Sequence, residues 1–291
     1  MKTRAGRVLA RFGRVASLVL LAALGTITLM RFAPGYFTDV RELDGEYGNR
    51  ARAALEIQQG EQRSLVAVTR RLLGGWLHGD LGRSRQYDIP VTELMASRAK
   101  VSGLILLSGM GYGWVLAIAL ALPLSARRTS GGEAMIAGPS AILLAIPIGA
   151  MATTCLIANL GGPVLVLTML VGVRDFKAIY RLLRYTWRSP YLLYARSQGI
   201  RSSRVALVYL IPALTGELIA VALTSFVIAL SAIVPVEVVF DVPGLGQLAW
   251  SAAMNRDLPV LLAVTLVVAA CVGLAGMISP GARRVEETPC A

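Results

Sequence analysis

Residues 189–234 read SPYLLYARSQGIRSSRVALVYLIPALTGELIAVALTSFVIALSAIV, and this stretch decides the fold. Its second part, residues 205–234, is an apolar run of the length that crosses a bilayer, which takes about 20 mostly apolar residues in a helix. Its first part is polar and basic. Ser189 is a helix-capping residue type and Pro190 suits a first helical position. Residues 191–198 continue that helix, and Gly199 is placed to end it in a left-handed cap. Ser202 or Ser203 starts a second helix that runs into the span, and Pro212 is expected to bend the span near its beginning. The expected shape is a short helix outside the membrane, rigidly joined to a spanning helix. Such a shape can transmit a push from a cytoplasmic partner. An ordinary amphipathic surface helix between two spans is the alternative reading of the same residues.

Five more apolar runs lie outward from this one, at residues 15–33, 101–124, 134–158, 160–180 and 259–279. Arg174, Asp175 and Lys177 crowd the end of the fourth. The expectation is an all-α membrane protein with about six transmembrane helices. Composition agrees: the chain is 55% hydrophobic and 16% charged, where a soluble domain carries about a quarter charged residues. The formal charge is +12, but the basic residues flank apolar blocks, where they act as topology signals. Nucleic acid is therefore not an expected partner, and membrane lipid is. The first run follows Lys2, Arg4, Arg7, Arg11 and Arg14, and is read as a retained span, not a cleaved signal peptide.

The loop charges set an orientation. The N-terminal segment, Arg127 and Arg128, the arginine-rich 181–204 connection, and Arg283 with Arg284 fall on one side if six spans are present. The positive-inside rule makes that side the cytoplasm, with both termini inside. The expected organisation is a cytoplasmic N-terminus and first helix over 1–33, a periplasmic loop over 34–100, a five-helix core over 101–279 and a cytoplasmic tail over 280–291. The loop reads as a small helical cap: residues 50–71 are rich in helix formers, and Gly74-Gly75 is expected to break that helix.

Few residues carry candidate chemistry. The cysteines, Cys155, Cys271 and Cys290, have no metal spacing and suggest no disulfide framework. His78 is the single histidine and reads as a surface or packing residue, with a metal or substrate ligand as the alternative. No metal site is expected. Glu217 reads as the one acid well inside the fifth run. It is a candidate path residue, or one that reaches cytoplasmic water or pairs with Arg204. After that run, Pro235 and Pro243 are expected to stop the helix, Gly244 and Gly246 to permit a tight path, and residues 245–254 to form a short helix against the bundle. Glu237 and Asp241 are placed at the membrane exit. This outer segment reads as a gate or docking surface, or as a structural plug.

The stretch Tyr191-Leu-Leu-Tyr-Ala-Arg-Ser-Gln-Gly199 resembles the coupling loop of permeases in the dipeptide/oligopeptide/nickel ABC importer family, matching at Tyr191, Ala195, Arg196 and Gly199; Pro212 follows at a similar distance, and Arg201 between them is a further candidate of the coupling segment. Glu237-Val-Val-Phe240 with Pro243-Gly244-Leu-Gly246 is similar to the family's outer loop, and Asn255-Arg256-Asp257 to the segment before its last span. Arg31-Phe-Ala-Pro-Gly35 and Gly79-Asp-Leu-Gly82 with Ser84 resemble segments that close the first span and precede the second. The chain departs from the pattern at Leu193, at Gln198 and after Met277.

The resemblance implies a type I importer permease whose 191–199 helix docks on an ATPase. It implies a second homologous permease subunit, two ATPase subunits and a periplasmic or lipid-anchored substrate-binding protein. This chain has no phosphate-binding Gly-x-x-x-x-Gly-Lys-Ser/Thr loop. ATP and magnesium then belong to the partner ATPase, with no cofactor and no catalytic residue in this chain. The implied role is a substrate path for peptides or a similar small solute. The alternatives are an intramembrane enzyme, for which one histidine and one deep acid offer little, and a structural or assembly subunit of a membrane complex.

Overall fold

The computed structural model describes residues 4–32, 74–75, 79–126, 132–200 and 202–278. They are almost entirely helical, and the only extended pairing among them is an isolated bridge between Arg83 and Pro90. We number the helices α1 (Arg4–Phe32), α2 (Val91–Ala126), α3 (Gly132–Ala145), α4 (Ile148–Ile157), α5 (Pro163–Trp187), α6 (Pro190–Ser197), α7 (Ser202–Val205), α8 (Thr215–Val239), α9 (Leu245–Met254) and α10 (Leu258–Ile278). Among the described residues, four stretches are long and apolar enough to cross a membrane: Ala10–Leu29, Val91–Ser125, Thr215–Val239 and Leu258–Ile278. The other two expected spans correspond to α3 with α4, and to α5.

The described residues form two compact units. In the first, made from residues up to Lys100 and Leu248–Gly273, α1 buries Ala23 and Ile27 and leaves Leu21 and Leu29 exposed, the pattern of a helix with one face to hydrocarbon. It meets α10 where Gly273 faces Val15: a Cβ at Gly273 would lie 2.8 Å from a Val15 methyl. The segment from Gly79 to Val91 folds into a tight loop. Ser84 N–H donates to the Ile89 carbonyl (3.0 Å) and Val91 N–H to the Gly82 carbonyl (3.0 Å).

In the second unit, Val101–Gln247 with the described residues from Leu274, α2 crosses α5 at close range. A Cβ at Gly109 would sit 2.7 Å from Leu167 Cβ, and one at Gly113 3.1 Å from Val171 Cβ. Small residues let helix backbones approach where lipid supplies no hydrophobic drive. One buried cluster joins Leu106, Cys155, Leu167, Ala229 and Val236. A second joins Ala121, Ile179, Trp187, Leu192, Val205 and Leu210, so the α6 helix is part of the core.

Several boundaries differ from those the sequence suggests. The third run is two helices, because Pro147 interrupts it after Ile146. The fourth starts later, at Pro163, after a turn in which Asn159 (φ 50°) and Gly161 (φ 112°) are left-handed, and it runs past Tyr180 to Trp187. The fifth is split: α7 leads into a single π turn over Ala206–Leu210 and a short turn Ile211–Ala213, and the long helix begins only at Thr215. Pro235 does not stop that helix, which continues to Val239. Gly74 and Gly75 are helical, with the Gly75 carbonyl accepting Asp80 N–H at 2.9 Å. The expected 50–71 helix, His78 and the tail lie outside the described residues.

Candidate functional site

The sequence-derived candidates fall into separate places. The first is α6 and the turn after it. Helix α6 begins at Pro190, and the Ser189 hydroxyl before it donates to the Thr186 carbonyl (2.6 Å), back into α5. Leu192 and Ala195 are buried in the second cluster, which also takes Trp187 from α5 and Val205 from α7. Trp187 Nε1 donates to Ser125 Oγ of α2 at 3.2 Å. Tyr191 (47% exposed) and Tyr194 (68%) face outward. Gly199, at φ +75°, makes the left-handed turn that sends the chain on to α7. Pro212 is exposed in the short turn before α8. The Arg196 side chain and Arg201 lie outside the described residues. The result is a short helix pinned through one face, with an aromatic face left open.

The second place centres on Glu237, which is fully buried. Ser102 of α2 donates its hydroxyl to Oε1 (2.6 Å), and the Gly246 and Gln247 N–H groups donate to Oε2 (2.7 and 3.3 Å). Leu245 N–H in turn donates to Ser102 Oγ (2.7 Å). The carboxylate therefore caps α9, whose first amides have no partner within their own helix, and negative charge is favourable at that end. The glycines follow from the same contact. A Cβ at Gly244 would overlap the Glu237 carboxylate, and one at Gly246 would lie 2.7 Å from Val234 Cα. Phe240 is half-buried against the first cluster, and Pro243 is exposed. Asp241, in a left-handed conformation (φ 52°), accepts from Gln247 Nε2 at 2.5 Å. Glu237 is thus inside a helix and dry, not in irregular backbone.

The third place unites two motifs that are far apart in sequence. Asp257, fully buried, accepts the Ser84 hydroxyl (2.5 Å) and Gln86 N–H (3.2 Å) on Oδ2, while its Oδ1 is buried without a hydrogen-bond partner. Ser251 donates to Gln86 Oε1 at 3.2 Å, and exposed Asn255 donates to the Ser251 carbonyl at 2.9 Å. Arg256 is left-handed (φ 56°), which turns the chain so that Asp257 enters the interior just before α10.

Glu217 lies in the first turn of α8 and is half-buried, so it is not well inside the helix as the sequence suggested. The cause is the late start of that helix. An acid the reading passed over is deeper: Asp175 of α5 is buried, with both oxygens 2.6 Å from Ser225 Oγ of α8. The only signal was a carboxylate inside an apolar run, and its partner lies 50 residues further on. Among the described residues no group of His, Cys, Asp and Glu could hold a metal ion.

These helices, with their apolar exposed faces, define an all-α integral membrane protein of the permease class. Residues 133–285 match the binding-protein-dependent transport system inner membrane component, and the chain belongs to that family. It is 32% identical over 107 residues to the metal-staphylopine import system permease protein of Staphylococcus aureus, a match covering 37% of this chain and 34% of that protein. It is 25% identical over 247 residues to a Brucella ovis protein named "Putative peptide permease protein", covering 75% of this chain and 77% of the relative.

Proposed function

We propose that this chain is a permease subunit of an ATP-driven importer and forms part of the path for a peptide or a similar small solute. Family membership supports the class. The observation that carries the mechanism is α6, whose Leu192 and Ala195 are built into the core while Tyr191 and Tyr194 stay open. A partner pressing on the tyrosines moves a helix that cannot swivel independently, because Trp187 and Val205 hold both of its flanks. The arginines of the 181–204 segment put this face in the cytoplasm, and both termini with it. The occupant is an ATPase subunit that carries the ATP and magnesium, one on this chain and one on a second homologous permease. A periplasmic or lipid-anchored binding protein delivers the solute. This chain binds no cofactor and performs no catalysis. The Glu237 and Asp257 clusters serve as the outer gate or binding-protein surface.

Purification from gently solubilised membranes tests this. Wild type is expected to bring down a nucleotide-binding ATPase and a second permease. Gly199→Pro is expected to lose the ATPase and keep the second permease, because proline holds φ near −65° where this position needs +75°. Wild type without an ATPase, in an otherwise intact complex, refutes the reading.

A further inference from the structure

The break between α3 and α4 has a consequence in a bilayer. Pro147 has no N–H, so the Leu143 carbonyl four residues earlier loses its normal helical donor, and the start of α4 has no side-chain cap. The 14 residues of α3 rise about 21 Å and the 10 of α4 about 15 Å. Against a hydrocarbon core about 30 Å thick, the interruption falls at membrane depth, not at a surface. Among the described residues nothing covers it: residues 141–147 are all exposed, Ile142 at 68% and Ile146 at 44%. Non-helical backbone at that depth is not tolerated against lipid, only against protein or a water-filled cavity.

Polar side chains are exposed on the far side of the break. Ile146 is exposed at the break itself, and beyond it Ala150, Thr153 and Thr154 are exposed on α4, with Ile157 one turn further on. The Thr153 and Thr154 hydroxyls donate to the Gly149 and Ala150 carbonyls (2.8 Å each), which leaves their oxygens free to accept. The exposed face of α2 differs. There Leu104, Leu107 and Val115 project from an uninterrupted helix, as lipid requires.

We propose that the Ile146–Pro147 break, with Ile146, Ala150 and Thr153, lines the aqueous path through the membrane. The acceptors along this segment, the Leu143 carbonyl and the threonine oxygens, suit solute groups that donate hydrogen bonds, such as amide N–H or ammonium. The inference rests on the permease reading above and names the part of the chain that faces the solute.

The test uses the assembled complex in membrane vesicles. Cys155, Cys271 and Cys290 are replaced by alanine, and single cysteines are introduced by Ile146→Cys, Ala150→Cys, Thr153→Cys, Leu104→Cys and Val115→Cys. The probe is a membrane-impermeant quaternary-ammonium methanethiosulfonate. Labelling at 146, 150 and 153 is expected to be at least about tenfold faster than at 104 and 115, since a thiol facing hydrocarbon is shielded from a charged reagent. Rates at all three as slow as at 104 overturn the proposal and place the break against a partner helix. Ala150→Cys, the smallest change, guards against a variant that misfolds. Co-purification of an ATPase from the same vesicles separates the two readings. Slow labelling with the ATPase present sinks this inference alone, and fast labelling without it sinks the importer reading alone.

Discussion

Alanine at Gly244 should cost stability only while the Glu237 carboxylate is present. The added Cβ would overlap that carboxylate. A carboxylate at the end of a flexible side chain normally moves aside, but this one is fully buried and held by Ser102, Gly246 and Gln247. Overpacking of this kind costs about 1–3 kcal/mol. Glu237→Ala alone strands three donors, and breaking a buried charged network typically costs about 3–5 kcal/mol. In the Glu237→Ala background the space is vacant, so adding Gly244→Ala should cost close to nothing. The pair should then show a coupling energy of about 1–3 kcal/mol. Gly246→Ala is the control. Its Cβ would meet Val234 Cα at 2.7 Å, a backbone atom that removing Glu237 does not displace, so most of its cost should persist. The assay is thermal unfolding of the detergent-purified protein, in which a 2 kcal/mol loss lowers Tm by about 4–8 °C for a chain of this size. Equal losses from Gly244→Ala with and without Glu237 would refute the account of why glycine is required there.

Three further outcomes follow from the packing. Gly109→Ala should lower stability by about 1–3 kcal/mol through its clash with Leu167. Gly111→Ala, with nothing within 4 Å, should be neutral or raise helix stability by up to about 1 kcal/mol; the two melting curves decide. Ser84→Ala leaves Asp257 with Gln86 N–H alone among its present donors and should cost about 1–3 kcal/mol, read as faster protease cleavage in the 79–90 loop. Asp175→Asn keeps a partner for Ser225 and should be mild, whereas Ser225→Val removes the hydroxyl donor of a buried carboxylate and should cost about 1–3 kcal/mol; equal losses in chemical unfolding would mean that charge, not the hydrogen bond, matters at this pair.

Much of the architecture was legible because hydropathy and turn chemistry are local. The apolar runs, the helix over Leu245–Met254 and the left-handed Gly199 all follow from neighbouring residues. The two prolines show where such reading ends. Pro147, inside an apolar run, breaks the helix, and Pro235, expected to stop one, is carried through. Hydropathy counts side chains and does not register a missing N–H. What distinguishes the two sites is packing: Val236 and Glu237 are buried and hold α8 in place past Pro235, while residues 141–147 are exposed. The split of the fifth run, and with it the shallow position of Glu217, had no signal beyond Pro212.

The buried acids obey a common rule that no local pattern reveals. Asp175, Glu237 and Asp257 each accept a hydrogen bond from a buried serine that is distant in sequence: Ser225, Ser102 and Ser84. A serine hydroxyl is small enough to sit within a helix contact and supplies a donor to the carboxylate in an interior where desolvating an ion costs several kcal/mol. Each pair joins segments far apart in the chain, with separations of 50, 135 and 173 residues. Apolar side chains packed between helices tolerate sliding, because one methyl contact replaces another at little cost. A carboxylate bound to one hydroxyl does not, since displacement strands both groups. The apolar runs thus place the helices in the bilayer, and these pairs fix their register. A helix carrying such a pair moves as a unit or not at all, which is the property required if force applied at Tyr191 and Tyr194 is to reach the rest of the second unit.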